Sequence, residues 1–151
     1  MVHLATAILI HGLSETHQAW SRQVPYLKRS LDTIAYDVRG FGTSPAGAAD
    51  GTTHQLADDL AQIIRARNTG PVWLVGFSMG GVIAQRFALD YMDLTAGLIL
   101  IASSSTIGRT GEEFFRHRIK IVTSGGLEAL VPLNKKDARR CFAMGDKTLI
   151  S

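Results

Sequence analysis

Four short apolar runs, separated by stretches with helical spacing, set the ground plan of this 151-residue chain. The first, residues 5–10 (Ala-Thr-Ala-Ile-Leu-Ile), is apolar nearly throughout and predicts a strand buried on both faces. Trp20, Val24, Leu27 and Leu31 then fall at helical spacing, on a face bent or restarted at Pro25. A second strand is expected over residues 31–38, with Ile34, Tyr36 and Val38 on one face. Residues 39–50, rich in Gly, Ala and Ser, predict a loop. Thr52 and Gln55 have the spacing of a capping box and open a helix whose stripe is Leu56, Leu60, Ile63 and Ile64. That helix should stop near the Asn68-Thr-Gly-Pro71 break.

The third run, residues 72–75, predicts a strand, residues 76–81 a sharp turn, and residues 82–91 a helix. The fourth run, residues 97–102, is again apolar throughout and predicts another core strand. Strands alternating with helices in this way imply a mostly parallel sheet with right-handed crossovers, an α/β architecture. Beyond it the pattern changes. Residues 112–122 look helical, Gly125-Gly126 breaks the run, and residues 127–131 and 135–144 predict further short helices. The boundary falls near residues 103–109. It divides residues 1–105, a strand-bearing core, from residues 106–151, a helical segment.

Composition narrows the possibilities. At 46% hydrophobic and 19% charged, the chain is an ordinary globular domain rather than a disordered one. The net charge of +3 is uneven, with the basic excess in residues 109–151. That excess lacks the clustered stripe and motif of a nucleic-acid reader, so no nucleic-acid partner is expected. Cys141 is the single cysteine. It forms no internal disulfide, suits a reducing compartment and belongs to no zinc-type spacing, so no metal is expected. The first apolar run is too short to span a membrane and lacks a preceding basic region, so the expected location is cytoplasmic, with no membrane association.

The chemistry is concentrated after the third strand, in Val72-Trp-Leu-Val-Gly76-Phe77-Ser78-Met79-Gly80-Gly81. A serine at the tip of a tight strand-to-helix turn needs unusual backbone angles, and small residues at 76, 80 and 81 let the flanking backbones close up around it. The hydroxyl is then left exposed at a helix N-terminus, where peptide dipoles favour the negative charge that develops in acyl transfer. Two further segments stand out: Ile8-Leu-Ile-His11-Gly12-Leu13 followed by Trp20, and Tyr36-Asp37-Val-Arg39-Gly40-Phe-Gly42-Thr-Ser44. The pair Gly40 and Gly42 does not continue into a nucleotide-binding fingerprint.

With these three segments the chain resembles the α/β-hydrolase superfamily over about residues 5–105. The resemblance implies that Ser78 is the nucleophile and that the backbone N–H groups of Leu13 and Met79 form the oxyanion hole. His11, Gly12, Gly76, Gly80 and Gly81 would support the loop and elbow, and Asp37 and Arg39 would shape the loop beside the pocket. Phe77, Phe114 and Phe115 are candidate pocket residues. The implied substrate is a small ester, lactone or thioester, and no cofactor is implied. Carbon–carbon hydrolysis, perhydrolysis, acyl transfer and non-catalytic ligand binding on the same site are the alternatives. The stretch from Phe115 to Leu130, with Ala138-Arg-Arg-Cys-Phe142, resembles the first lid helices of 3-oxoadipate enol-lactonase-like members.

A serine hydroxyl needs a base, and in this fold an acid and then a histidine follow the serine. After Ser78 there is one histidine, His117, on a basic helix with Glu112 and Glu113. This does not match the family arrangement, and Asp90, Asp93, Asp137 and Asp146 follow no recognisable strand. The triad acid and histidine are therefore not expected in this chain. Family members run to about 250 residues as one domain. The expectation is a partial hydrolase fold whose isolated chain is inactive and poorly soluble, with strand edges and apolar surface bared.

Overall fold

The computed structural model describes residues 4–48 and 51–132. Strand β1 (Thr6–Ile10) is buried at every residue, as its unbroken apolar run requires. A 3₁₀ turn (His17–Trp20) and a single helical turn, α1 (Val24–Leu27), follow it. Pro25 lies in the first turn of α1, so the sequence periodicity is split into two short pieces. Strand β2 (Asp32–Tyr36) leads through the glycine-rich loop to α2 (Thr53–Arg67). The Thr52 side chain accepts the Gln55 N–H at 3.2 Å, and Gln55 Oε1 accepts the Gly51 N–H at 3.2 Å. Asn68, in the left-handed conformation, ends the helix.

Strand β3 (Val72–Phe77), α3 (Met79–Asp90) and β4 (Thr95–Ile101) complete the first unit, residues 1–105. The sheet is parallel throughout, in the order β2-β1-β3-β4. The register places Ile8 beside Ile34 and Leu74, and Ile10 beside Tyr36 and Gly76. On this face Ile8, Ile10, Ile34 and Leu74 pack with Leu60 and Ile64 of α2 and with Ile83 and Phe87 of α3, all of them buried.

The opposite face is covered unevenly. Leu9 and Trp20 are buried, but towards β3 and β4 Trp73 is 42%, Ile99 47% and Ile101 40% exposed. Leu98 and Leu100, on the helix-bearing face, are open as well. The fourth apolar run therefore forms a strand, as expected, but not an interior one. Among the described residues β4 pairs with β3 alone, and its outer edge is bare.

The second unit, residues 106–151, contains α4 (Arg109–Gly125) and a 3₁₀ turn (Leu127–Leu130). The helix runs through Gly125 and stops at Gly126, whose φ of +71° a helix cannot continue. The helix expected over residues 135–144 lies outside the described residues.

Candidate active site

The sequence places a six-residue turn between β3 and its helix, yet the turn is a single residue. Gly76 and Phe77 remain in the ladder, beside Leu100 and Ile101 of β4, and α3 begins at Met79. All of the reversal falls on Ser78, at φ +50° and ψ −114°. A side chain is rarely held at positive φ, and such strain costs about 1–3 kcal/mol unless the surroundings enforce it. Here they do. The Ser78 N–H donates to the Ile101 carbonyl at 2.9 Å. A Cβ on Gly76 would lie 2.5 Å from the Gly80 carbonyl oxygen, and one on Gly80 would collide with the Ile10 carbonyl. These glycines let α3 start flush against β1 and β3. Ser78 is half-buried at the N-cap of α3 rather than sealed in the core.

The adjoining loop leaves β1 beside this turn. His11 is fully buried and bridges two segments. Its Nε2 accepts the Val38 N–H at 3.0 Å, which puts the ring proton on Nδ1, where it donates to the Gly12 carbonyl at 2.8 Å. Both ring nitrogens are thereby used in holding backbone. Glu15 accepts the Gly12 N–H at 2.8 Å, and the ring of Phe77 lies against Gly12, leaving no room for a Cβ there. Leu13, next in the chain, is 43% exposed. Met79 occupies the first position of α3, where helix geometry offers its N–H no acceptor.

Asp37 and Arg39 organise the loop after β2. Asp37 accepts the His17 N–H at 2.7 Å and its ring Nδ1 at 2.8 Å, and the Thr43 N–H and hydroxyl at 3.0 Å each. The backbone N–H of His17, then that of Thr43, holds its carboxyl well below the usual carboxylate range. Arg39 forks onto Asp59 of α2 at 2.6 and 2.5 Å and reaches the Ala46 carbonyl at 3.1 Å.

A cleft of about 260 Å³ flanks Phe77, lined by Glu15, Ala19, Trp20, Gln23, Phe77 and Ile101. Phe77 was expected at a pocket; Glu15, Gln23 and Ile101 were not, because no motif marks them. Phe114 and Phe115 lie on α4, edge to face at 5.3 Å, with Arg118 stacked 5.0 Å from the Phe114 ring. His117 is exposed on the same helix. Asp90, at the far end of α3 from Ser78, pairs with Arg86 and with His54 on the surface. Among the described residues no histidine or carboxylate hydrogen-bonds the Ser78 hydroxyl. No group of three His, Cys, Asp or Glu among them could hold a metal, and no described helix is long and apolar enough to cross a membrane.

Residues 7–119 match the family model described as alpha/beta hydrolase fold. The (E)-2-((N-methylformamido)methylene)succinate hydrolase of Acinetobacter baylyi is 29% identical over 128 residues, covering 85% of this chain and 49% of that protein. A thermophilic esterase from Thermogutta terrifontis superposes with a TM-score of 0.73 at 33% identity, over 81% of this chain and 46% of its own. A carboxylesterase of Nitrososphaera gargenis gives 0.72 at 27% identity, over 84% and 48%. The chain spans about half the length of the relatives it matches.

Proposed function

The chain belongs to the alpha/beta hydrolase family, and from that premise we propose that the protein is a serine hydrolase of small-molecule carboxylic esters, lactones or thioesters. Ser78 is its nucleophile, and the backbone N–H groups of Leu13 and Met79 receive the oxyanion. The observation that carries this reading is the conformation of Ser78: a non-glycine residue at φ +50°, half-buried at a helix N-terminus beside the loop after β1. Positive φ at a non-glycine residue is uncommon, and of the described residues that have it Ser78 alone stands at the junction of a strand and the N-terminus of a helix.

In the reaction, Ser78 Oγ adds to the substrate carbonyl and its proton passes to a base. The tetrahedral oxyanion is stabilised by the two N–H groups, each worth about 3 kcal/mol in comparable sites. Collapse expels the alcohol or thiol, which takes the proton, and leaves an acyl-enzyme that water then hydrolyses. The cleft beside Phe77 accommodates part of the substrate, and Phe114 and Phe115 belong to a lid. Among the described residues none stands as acid or histidine of a triad beside the Ser78 hydroxyl.

That division of labour yields a specific test. With p-nitrophenyl acetate in phosphate buffer, which takes the proton without attacking the ester, and with release in the absence of protein subtracted, the 151-residue chain should give a single-turnover burst of nitrophenolate, leaving an acetyl group on Ser78. Among the described residues no histidine bonds the Ser78 hydroxyl to speed deacylation. Ser78→Ala should remove the release. An equal release from Ser78→Ala would overturn the assignment.

A further inference from the structure

The strain at Ser78 is matched by a second one across the turn. β4 ends at Ile101, and the next residue, Ala102, is itself at φ +47°. That reversal turns the chain back on the elbow. Ile101 accepts the Ser78 N–H at 2.9 Å, and Ser103 donates its hydroxyl to the Ser78 carbonyl at 3.0 Å. Ile101 and Ser103, on either side of Ala102, thus hold the nucleophile residue by both of its backbone polar groups.

Two other donors reach the same carbonyl, the Gly81 N–H at 3.0 Å and the Val82 N–H at 3.3 Å. Any helix start supplies such bonds; the Ser103 hydroxyl is an addition. Space has been cleared for it, because a Cβ on Gly81 would collide with the Ser103 side chain. Gln85 secures the same segment, donating from Nε2 to the Gly81 carbonyl at 3.1 Å and the Ser104 carbonyl at 3.4 Å.

The consequence lies in the peptide unit. The Ser78 carbonyl and the Met79 N–H share one rigid plane and point in opposite directions. Pinning the oxygen therefore fixes the direction of the N–H. A hydrogen bond accepted at the oxygen also polarises the peptide and strengthens its N–H as a donor, by roughly 10–30% per bond. We propose that Ser103 is a positioning residue: its hydroxyl orients and polarises the Ser78–Met79 peptide, and so tunes the Met79 N–H that faces the developing oxyanion. This rests on the reading of Ser78 as nucleophile and Met79 as donor.

A thiol at position 78 reports on this without turnover. Ser78→Cys is made in the full chain together with Cys141→Ser, so that the reporter is the single thiol. The pH dependence of its alkylation by iodoacetamide is then measured. The amide dipoles at the start of α3 should hold its pKa below the ordinary value of about 8.5. Adding Ser103→Ala should raise that pKa by about half a unit, cutting the thiolate at pH 7 about threefold. Ser103→Thr should leave it in place. Ser103→Val, which matches Thr in shape but lacks the hydroxyl, should behave as Ala does and decides the matter if the Ala variant does not fold. A purely structural Ser103 would alter thermal stability and leave the pH profile unmoved, and that result overturns the proposal. If the parent thiol already titrates at the ordinary value, the elbow reading itself fails, whatever Ser103 does.

Discussion

The two edges of the sheet differ in what borders them. The outer edge of β2 lines a cleft with Lys28, Arg67 and His17 around Thr33, Ile34 and Ala35. Long cations beside a strand edge deter another strand from adding. β4 reads Thr-Ala-Gly-Leu-Ile-Leu-Ile, seven residues without a charge or a proline. Leu98 and Leu100 are open on one face, Ile99 and Ile101 on the other. That is the composition of a strand with neighbours on every side. The contrast teaches that edge chemistry distinguishes a boundary from an interface. Charged side chains border the β2 side, and exposed aliphatic ones border the β4 side. The candidate site lies nearer the open side: Ser78 is gripped by the end of β4, two strands away from the guarded edge.

The sharpest test of the open side is to make the same deletion in an interior strand and in β4. Ile8→Ala, in a fully buried residue of β1, should cost about 3 kcal/mol by urea unfolding. Ile99→Ala, at 47% exposure, should cost under about 1 kcal/mol. Equal losses would mean that β4 is covered after all.

A smaller effect probes the loop on the β2 side. Because folding depresses the Asp37 pKa, its contribution is fully present above the unfolded value of about 4 and is lost as pH falls below it. Asp37→Asn should therefore lower the urea midpoint at pH 7 and flatten its decline between about pH 4 and pH 3. A variant that declines as steeply as the parent would remove Asp37 from the account.

The smallest change in stability is expected for Ile99→Lys combined with Ile101→Lys. It should leave the unfolding midpoint nearly unchanged while raising the soluble fraction and reducing binding of an apolar dye. The charges already beside β2 predict no gain in solubility from Ser21→Lys, at an exposed position lining the same cleft. Unfolding by the double change would show those side chains packed.

How far the sequence reveals this depends on the range of the interaction. The four strands and their helices follow from local periodicity, and the Thr52 cap and the Asn68 stop from local chemistry. The His11-Gly12 and Asp37-to-Ser44 motifs and the Gly76-to-Gly81 elbow mark where the loops meet. The width of the elbow was not legible, because Gly76 and Phe77 stay in the sheet through pairing with Leu100 and Ile101. The exposure of β4 was not legible from its run either, since an apolar strand looks the same whether or not a neighbour is present. Glu15 on Gly12, His17 on Asp37 and Ser103 on Ser78 are single polar residues in no motif, and folding alone brings them to their partners.

The central claim is that one strained, accessible serine is the reacting group. A fluorophosphonate, allowed to react with the chain in imidazole buffer and followed by peptide mass mapping, addresses it directly. The account predicts one adduct, on Ser78, and none on the chain carrying Ser78→Ala. An adduct on Ser103 or Ser44 in its place, or labelling that persists without the Ser78 hydroxyl, would contradict it.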